Sequence, residues 1–507
     1  MELQLKKEKY FHYEPLGLRK EAQEETVETL IPDYYAEVSR VVDASGCLYV
    51  EKSEVNGAQV SVSASVMMTL LYTSQEEKEL KSFTYHIPLQ TNFSVQDADL
   101  AKCNVCGALQ MSEVQVVNPR KLTTHLVVQW QSSCYEEAWI PACSQIEEQT
   151  EYGIETLCRD YDMAMIEAVR EQEFSFSDSF ALNSDEAQSI LKSSTIARVD
   201  EAKALGSKVV IKGTVCADVL YETADNRILH STAQLPFSQI IEGVEAPEEE
   251  IRVEANVCPV SAQYGIESED FSSVGRSINA KISMRLFVLI RRKRQICAIA
   301  DLYSTRYDLE SENENVLVSS LPQYALRDVP VEVSLEVGTA SKPLCAEVKM
   351  GEVSQSLNVD GTIQCRSNAE VRLIYCDESG MPFSVVRRQE VVFSLESGEN
   401  LTVSACRIAP CDIAVTMQDD IAVVKFTARF SLFSQQQMRY FCLRSVRAEE
   451  HKSEENMPSL VLRVLREGEK LWDIAKQYRT TMQDILDAND VEQWQDLIGK
   501  LLLIPHS

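Results

Sequence analysis

The chain has no glycine-rich phosphate loop, so any nucleotide hydrolysis it needs must come from a partner. Its six histidines (His12, His86, His125, His230, His451, His506) are scattered. No Gly-x-Ser-x-Gly elbow or cysteine–histidine pairing stands beside them. Long apolar runs are missing too: Val66–Tyr72 and Leu286–Ile290 are far short of a membrane span, so no direct membrane insertion is expected. The first residues carry no apolar signal region, which points to the cytosol. Positive charge is scarce. Lys and Arg number 49 against 78 Asp and Glu, a net charge of -29. That balance excludes a general nucleic-acid binder and disfavours anionic lipid surfaces. It favours basic partner surfaces.

What remains is ordinary folded material, 45% hydrophobic and 25% charged, in 507 residues, enough for three or four domains. The fifteen cysteines read as reduced, mostly buried small apolar residues. Cys103-Asn-Val-Cys106 has the spacing of half a zinc site or a redox pair, but no second pair completes four ligands. Two thiols near a strand is the better reading, and Cys406 with Cys411 is spaced less well still. The one basic cluster, Arg291-Arg-Lys-Arg294, follows an apolar strand and reads as a solvated hairpin turn. The expectation is a non-enzyme with no metal and no cofactor.

Three stretches share one pattern. Val60–Tyr72, Val209–Tyr221 and Ala369–Tyr375 are alternating strands that end apolar-apolar-Tyr. A polar turn follows each: Thr73 to Lys78, Glu222 to Asn226, and Cys376 to Gly380. A second alternating stretch comes next, through His86–Leu89, Gln234–Phe237 or Val391–Leu395. The tyrosines lie about 150 residues apart, one domain per repeat. Asp33–Gly46 and Ser184–Ile196 read as short amphipathic entrances to the first two copies, worn down in the third. Long alternating strands close each copy, at Lys121 to Trp130, Ser277 to Leu289 and Ile421 to Phe433. Antiparallel β-rich domains with one buried face are expected over 1–143, 174–310 and 311–447. Between the first two, acidic residues 144–173 carry Met163, Ile166 and Val169 at helical spacing and are expected to form a helical connector. Asp308–Asn315 reads as a structureless connector, and 448–458 as a charged linker that leaves the last domain free to reorient.

Residues 459–507 form a separate βααβ unit. A short strand carries Leu460, Leu462 and Val464, and a Glu-Gly turn follows. The first helix has Leu471, Ile474, Ala475 and Tyr478 on one face. A second helix carries Met482, Ile485 and Leu486 and ends near Asn489, a residue that tolerates the left-handed conformation. Leu501–Ile504 make the closing strand, and Pro505 ends it.

Val464, Gly468, Leu471, Trp472, Ile474, Ala475, Tyr478, Asn489, Gly499 and the Leu502–Pro505 end fall on the pattern of the LysM domain, which this unit resembles. Where the family has Asp-Thr after the glycine, this chain has Glu469-Lys470, without the hydroxyl of a natural helix cap. The strand–Tyr motifs and the Ile31-Pro-Asp33 entrance resemble the SPOCS domain of endospore coat proteins, the first copy most regularly and the third least. Several such copies before one terminal LysM is the arrangement of SipL-like coat-morphogenesis proteins. The fold implied is mainly β: three tandem antiparallel SPOCS-like domains plus a small LysM domain. The resemblance implies a scaffold or adaptor in the mother-cell cytoplasm, at the forespore surface. Its partner would be a SpoIVA-like coat ATPase bound through the LysM, with other coat proteins or self-association as further contacts. Gly468, Glu469, Lys470, Trp472, Asn489, Asp490 and Trp494 would border the binding groove, with Trp472 partly exposed and Trp494 the better exposed anchor. The other reading is an envelope protein binding peptidoglycan or chitin-type glycans.

Overall fold

The computed structural model describes residues 1–74, 79–94, 102–147, 149–182, 186–267, 275–338, 341–396, 400–450, 460–466, 468–491, 493 and 499–505. The fold is mainly β, with two short helices close to the C-terminus.

One topology occurs three times. In the first repeat, strands β2 (Arg40–Asn56), β3 (Gln59–Thr73) and β4 (Leu80–Ser94) form an antiparallel meander in the order β2-β3-β4. The strand before it, β1 (Leu5–Leu30), and the two after it, β5 (Lys102–Asn118) and β6 (Lys121–Ile146), form a second sheet in the order β1-β6-β5. The second repeat does the same. Its meander is β8 (Ala187–Leu205), β9 (Lys208–Thr223) and β10 (Ile228–Glu242). Its outer sheet joins β7 (Ile154–Ala181), β12 (Ser277–Ser304) and β11 (Ile251–Glu267) in that order. In the third, the opening strand is split into β13 (Tyr307–Ser319) and β14 (Gln323–Glu336), which pair in succession with β20 (Ile421–Glu450). Pro322, which cannot donate to a ladder, stands in the break. The first meander strand is split as well, into β15 (Lys342–Met350) and β16 (Ser354–Leu357). Both pair with β17 (Ile363–Cys376), as does β18 (Pro382–Leu395), while β19 (Leu401–Gln418) pairs with β20.

The Tyr motifs sit where the repeats meet. In β2, β8 and β15 an extra residue (Val42, Leu191, Leu344) interrupts the register just past the partner of Tyr72, Tyr221 or Tyr375. Such bulges re-aim side chains. Together with Leu71, Leu220 and Ile374, these residues make an apolar cluster shared by all three repeats. The other apolar residue of each motif, Leu70, Val219 or Leu373, is buried on the opposite face. Both faces of the strand end are thus covered, which is why its alternation gives way to consecutive apolar residues. Beside the cluster lies a buried charge network with a member from each repeat. Lys192 Nζ is 2.9 Å from both Asp43 Oδ2 and Glu347 Oε2, and Arg372 bonds Asp43 and the Ala44 carbonyl. Burial alone pushes the Asp43 carboxyl up, but Lys192 and Arg372 outweigh it and hold it at about 2. Further contacts close the ring: Lys349 Nζ donates to Gly46 O at 2.8 Å, Arg285 to Glu51 O at 2.7 Å, and Arg407 to Ala255 O at 2.9 Å.

Several expectations are corrected. Residues 144–173 are not a helical connector but the end of β6 and the start of β7. Glu167 is an extra residue between Ile166 and Ala168 in the pairing with β12, so the buried parity shifts there. The spacing of three between Ile166 and Val169 comes from that bulge, while Met163 is buried on the opposite face from Ile166. Asp308–Asn315 lies within β13, and Arg291–Arg294 lies inside β12 rather than in a turn. Those arginines are held by carboxylates: Arg291 by Glu254 at 2.7 Å and Arg294 by Glu167 at 2.5 Å. Of the two entrances, expected as a short turn or helix, the first is a turn in which Tyr35 N donates to Pro32 O ahead of β2, and the described part of the second is strand from Ala187. Nor are all the thiols reduced. Cys103 and Cys134 are direct cross-strand partners with Cα atoms 4.1 Å apart, and they form a disulfide. Of the expected linker, residues 448–450 extend β20, and the rest lies outside the described residues.

Candidate functional site

The C-terminal unit pairs β21 (Leu460–Val464) with β22 (Leu501–Pro505) around helices α1 (Leu471–Tyr478) and α2 (Met482–Ala488). Its small core holds Leu465, Leu471, Ile474, Ala475, Ile485, Leu502 and Ile504. Lys470 stands at the N-cap of α1 with no side-chain cap bond, whereas Thr481 and Asp484 form a full capping box on α2. Asn489 does not take the left-handed conformation; its φ is -103°. It works as a clamp instead. Its amide donates to Ile485 O at 2.7 Å and Leu503 O at 2.6 Å, and its oxygen accepts from Leu503 N at 2.8 Å, tying α2 to β22.

This unit is seated on the end of the second repeat's outer sheet. Trp472 is buried, 5% exposed, not partly exposed as its place on the helix suggests. Its ring meets Tyr303 edge-on with centroids 4.9 Å apart, and its Nε1 donates to Asp301 Oδ2 at 2.8 Å. Lys476 Nζ reaches Asp301 Oδ1 at 2.6 Å. Tyr303 donates to Thr480 O at 2.8 Å, and Arg479 pairs with Asp308. Partial burial raises the Asp301 carboxyl, but the bonds from Lys476 and Trp472 prevail and leave it below its ordinary value. A bulge at Ala300, between the partners of Cys158 and Leu157, sets Asp301 and Tyr303 for this contact. The unit is therefore docked and not free to reorient.

The expected groove residues are divided by this arrangement. Gly468, at φ 90°, is exposed, and so are Lys470 and Asp490. Glu469 is partly engaged: it accepts from Arg466 N at 3.0 Å and pairs with Arg463. Trp472 and Asn489 are used up inside the molecule, and Trp494 lies outside the described residues. Sequence reasoning missed the seat, Asp301 and Tyr303, which lies more than 150 residues away with no local signal. The alternating apolar residues of the first strand, Leu460, Leu462 and Val464, are not in the core. They face out, 47%, 58% and 50% exposed, with Leu501 beside them at 60%.

Comparison with protein families decides the two modules. Residues 186–264, which span β8 to β11, match the model described as SipL, SPOCS domain, and residues 464–493 match that of the LysM domain. The chain carries a SPOCS domain and a LysM domain. The SPOCS match falls on the second repeat and not on the first, whose motif reads as the most regular. The repeats on either side share the SPOCS domain's strand order. No curated protein and no solved structure matches the chain significantly. SPOCS and LysM domains are non-catalytic binding and scaffold modules. Among the described residues, no three His, Cys, Asp or Glu side chains are grouped to hold a metal, and no helix is long and apolar enough to cross a membrane.

Proposed function

We propose that this chain is a non-enzymatic scaffold of endospore coat assembly that docks a SpoIVA-like coat ATPase through its LysM domain and helps tether the coat to the forespore surface. The observation that carries it is a SPOCS domain and a LysM domain on one strongly acidic chain. The LysM is fixed to the SPOCS ring through Trp472, which leaves the rim of Gly468, Lys470 and Asp490 open as a contact surface. Seating it on a rigid body rather than a tether lowers the entropy lost on binding, and several copies on a polymeric surface would gain avidity. Work in the mother-cell cytoplasm fits this role. The test is fluorescence localisation in sporulating cells. The full chain is expected to encircle the forespore, and a chain ending before Leu460 to spread through the mother cell; identical patterns would contradict the assignment.

The LysM match itself favours a second reading, binding of a peptidoglycan or chitin-type glycan. Glu469-Lys470 in place of Asp-Thr speaks against it, because Glu469 is spent on Arg463 and Arg466. Saturable binding of the full chain to chitin oligomers would support that reading.

A further inference from the structure

Cys103-Asn-Val-Cys106 divides between two faces of β5, since residues three apart on a strand point opposite ways. Cys103 lies in the first repeat's core, in the disulfide with Cys134. Cys106 faces the second repeat. Its Sγ is 3.6 Å from that of Cys258 on β11, the two separated by 152 residues in sequence. The pair is itself a repeated feature: Asn104-Val-Cys106 and Asn256-Val-Cys258 occupy corresponding strands of the two repeats, and Ser404-Ala-Cys406 occupies that of the third. All three cysteines line one cavity of about 740 Å³ between the repeats, so Cys106 and Cys258, both half-buried, can be reached from solvent. Asn256 Nδ2 donates to Cys106 Sγ at 3.1 Å. Arg407, anchored on Glu254 at 3.0 Å, adds positive charge to the same wall.

We propose that Cys106 and Cys258 are a peroxide-reactive dithiol that closes into a disulfide between the first and second repeats. Asn256 Nδ2 is 3.1 Å from Cys106 Sγ but 3.7 Å from Cys258 Sγ. The hydrogen bond from Cys258, with Arg407 and Asn256, lowers the Cys106 thiol while Cys258 is pushed up, so Cys106 is the attacking sulfur. The Cys106 thiolate attacks one oxygen of a hydroperoxide and the O–O bond breaks, leaving a sulfenic acid at Cys106 and, after protonation, one water or alcohol. Cys258 then loses its proton and attacks Cys106 Sγ. The S–O bond breaks and the hydroxide leaves as water. Two thiols are oxidised, one peroxide is reduced, and the sulfurs approach by roughly 1.5 Å to reach bonding distance. The product fastens β5 to β11 across a contact otherwise held by packing and hydrogen bonds, and fixes the ring at that joint.

The test uses the full chain and hydrogen peroxide. After exposure, free thiols are blocked with iodoacetamide, the monomer is digested without reductant, and linked peptides are mapped. The expected result is a Cys106–Cys258 link within one chain, reversed by dithiothreitol. In Cys258→Ser, Cys106 is expected to accumulate as a sulfenic acid trapped by dimedone. Separate alkylation of both thiols after peroxide would overturn the proposal, as would linkage of Cys106 to any other cysteine or chain. The wild-type map decides the matter even if a serine variant folds poorly.

Discussion

Lys192 is 4% exposed at the junction of the repeats, where a lysine survives only because Asp43 and Glu347 each stand 2.9 Å from its nitrogen. Replacing it with Met would strand the Glu347 carboxylate in a place without water and leave Asp43 to Arg372 alone. Such a loss typically costs about 3–5 kcal/mol, so Lys192→Met is expected to lower the denaturant midpoint sharply in a urea melt. Asp43→Asn together with Lys192→Met should recover part of that loss, because the double variant removes one buried charge of each sign. Asp43 also gives the molecule a pH dependence. Its pKa is depressed to about 2, so its stabilisation is complete above the unfolded aspartate value of about 3.9 and is lost as pH falls through 2. The contribution is roughly 2–3 kcal/mol. Acid melts of the wild type should show a loss between those pH values that is absent in Asp43→Asn.

At the scale of elements, the Trp472 seat makes the LysM domain part of the ring. Trp472→Ala removes the ring that meets Tyr303 and the donor to Asp301, and is expected to cost about 3–5 kcal/mol in the melt of the LysM unit. Hydrogen exchange should rise at Thr480 and around Tyr303 while the β2-β3-β4 meander stays protected; unchanged exchange at Tyr303 would contradict the docked arrangement. Much of this level was legible in the sequence. The period-two strands, the three Tyr motifs and the βααβ unit are local patterns, fixed by residues a few positions apart. The helix expected over 144–173 failed because β7 is buried on both faces, which puts Met163 and Ile166 on opposite sides, and because one bulge residue, Glu167, turned the step from Ile166 to Val169 from two into three. The turn expected at Arg291–Arg294 failed because charge was taken as exposure, whereas Glu254 and Glu167 meet those side chains inside the sheet. In the candidate site, Gly468, Lys470 and Asp490 were legible as open positions. The engagement of Trp472 was not, since its partner Asp301 lies 171 residues away.

Across the whole molecule, three copies of one topology share a centre made from their own motifs: bulge residues Val42, Leu191 and Leu344 packed with Leu71, Leu220 and Ile374. The charge network there differs from repeat to repeat, Asp43 in the first, Lys192 in the second, Glu347 and Arg372 in the third, so each repeat has its own place in the ring. Leu220→Ala, at the centre but outside the charge network, is expected to destabilise all three repeats together by about 2–5 kcal/mol and keep a single unfolding transition. Three separate transitions would show instead that the repeats fold as independent beads. The central claim is that this body presents its LysM domain to a coat ATPase. Its most direct measurement is the affinity of a purified SpoIVA-like ATPase for the full chain and for a chain ending before Leu460. The account predicts that the truncation weakens binding at least about tenfold, a loss of about 1.4 kcal/mol or more. Equal affinity of the two chains would contradict it.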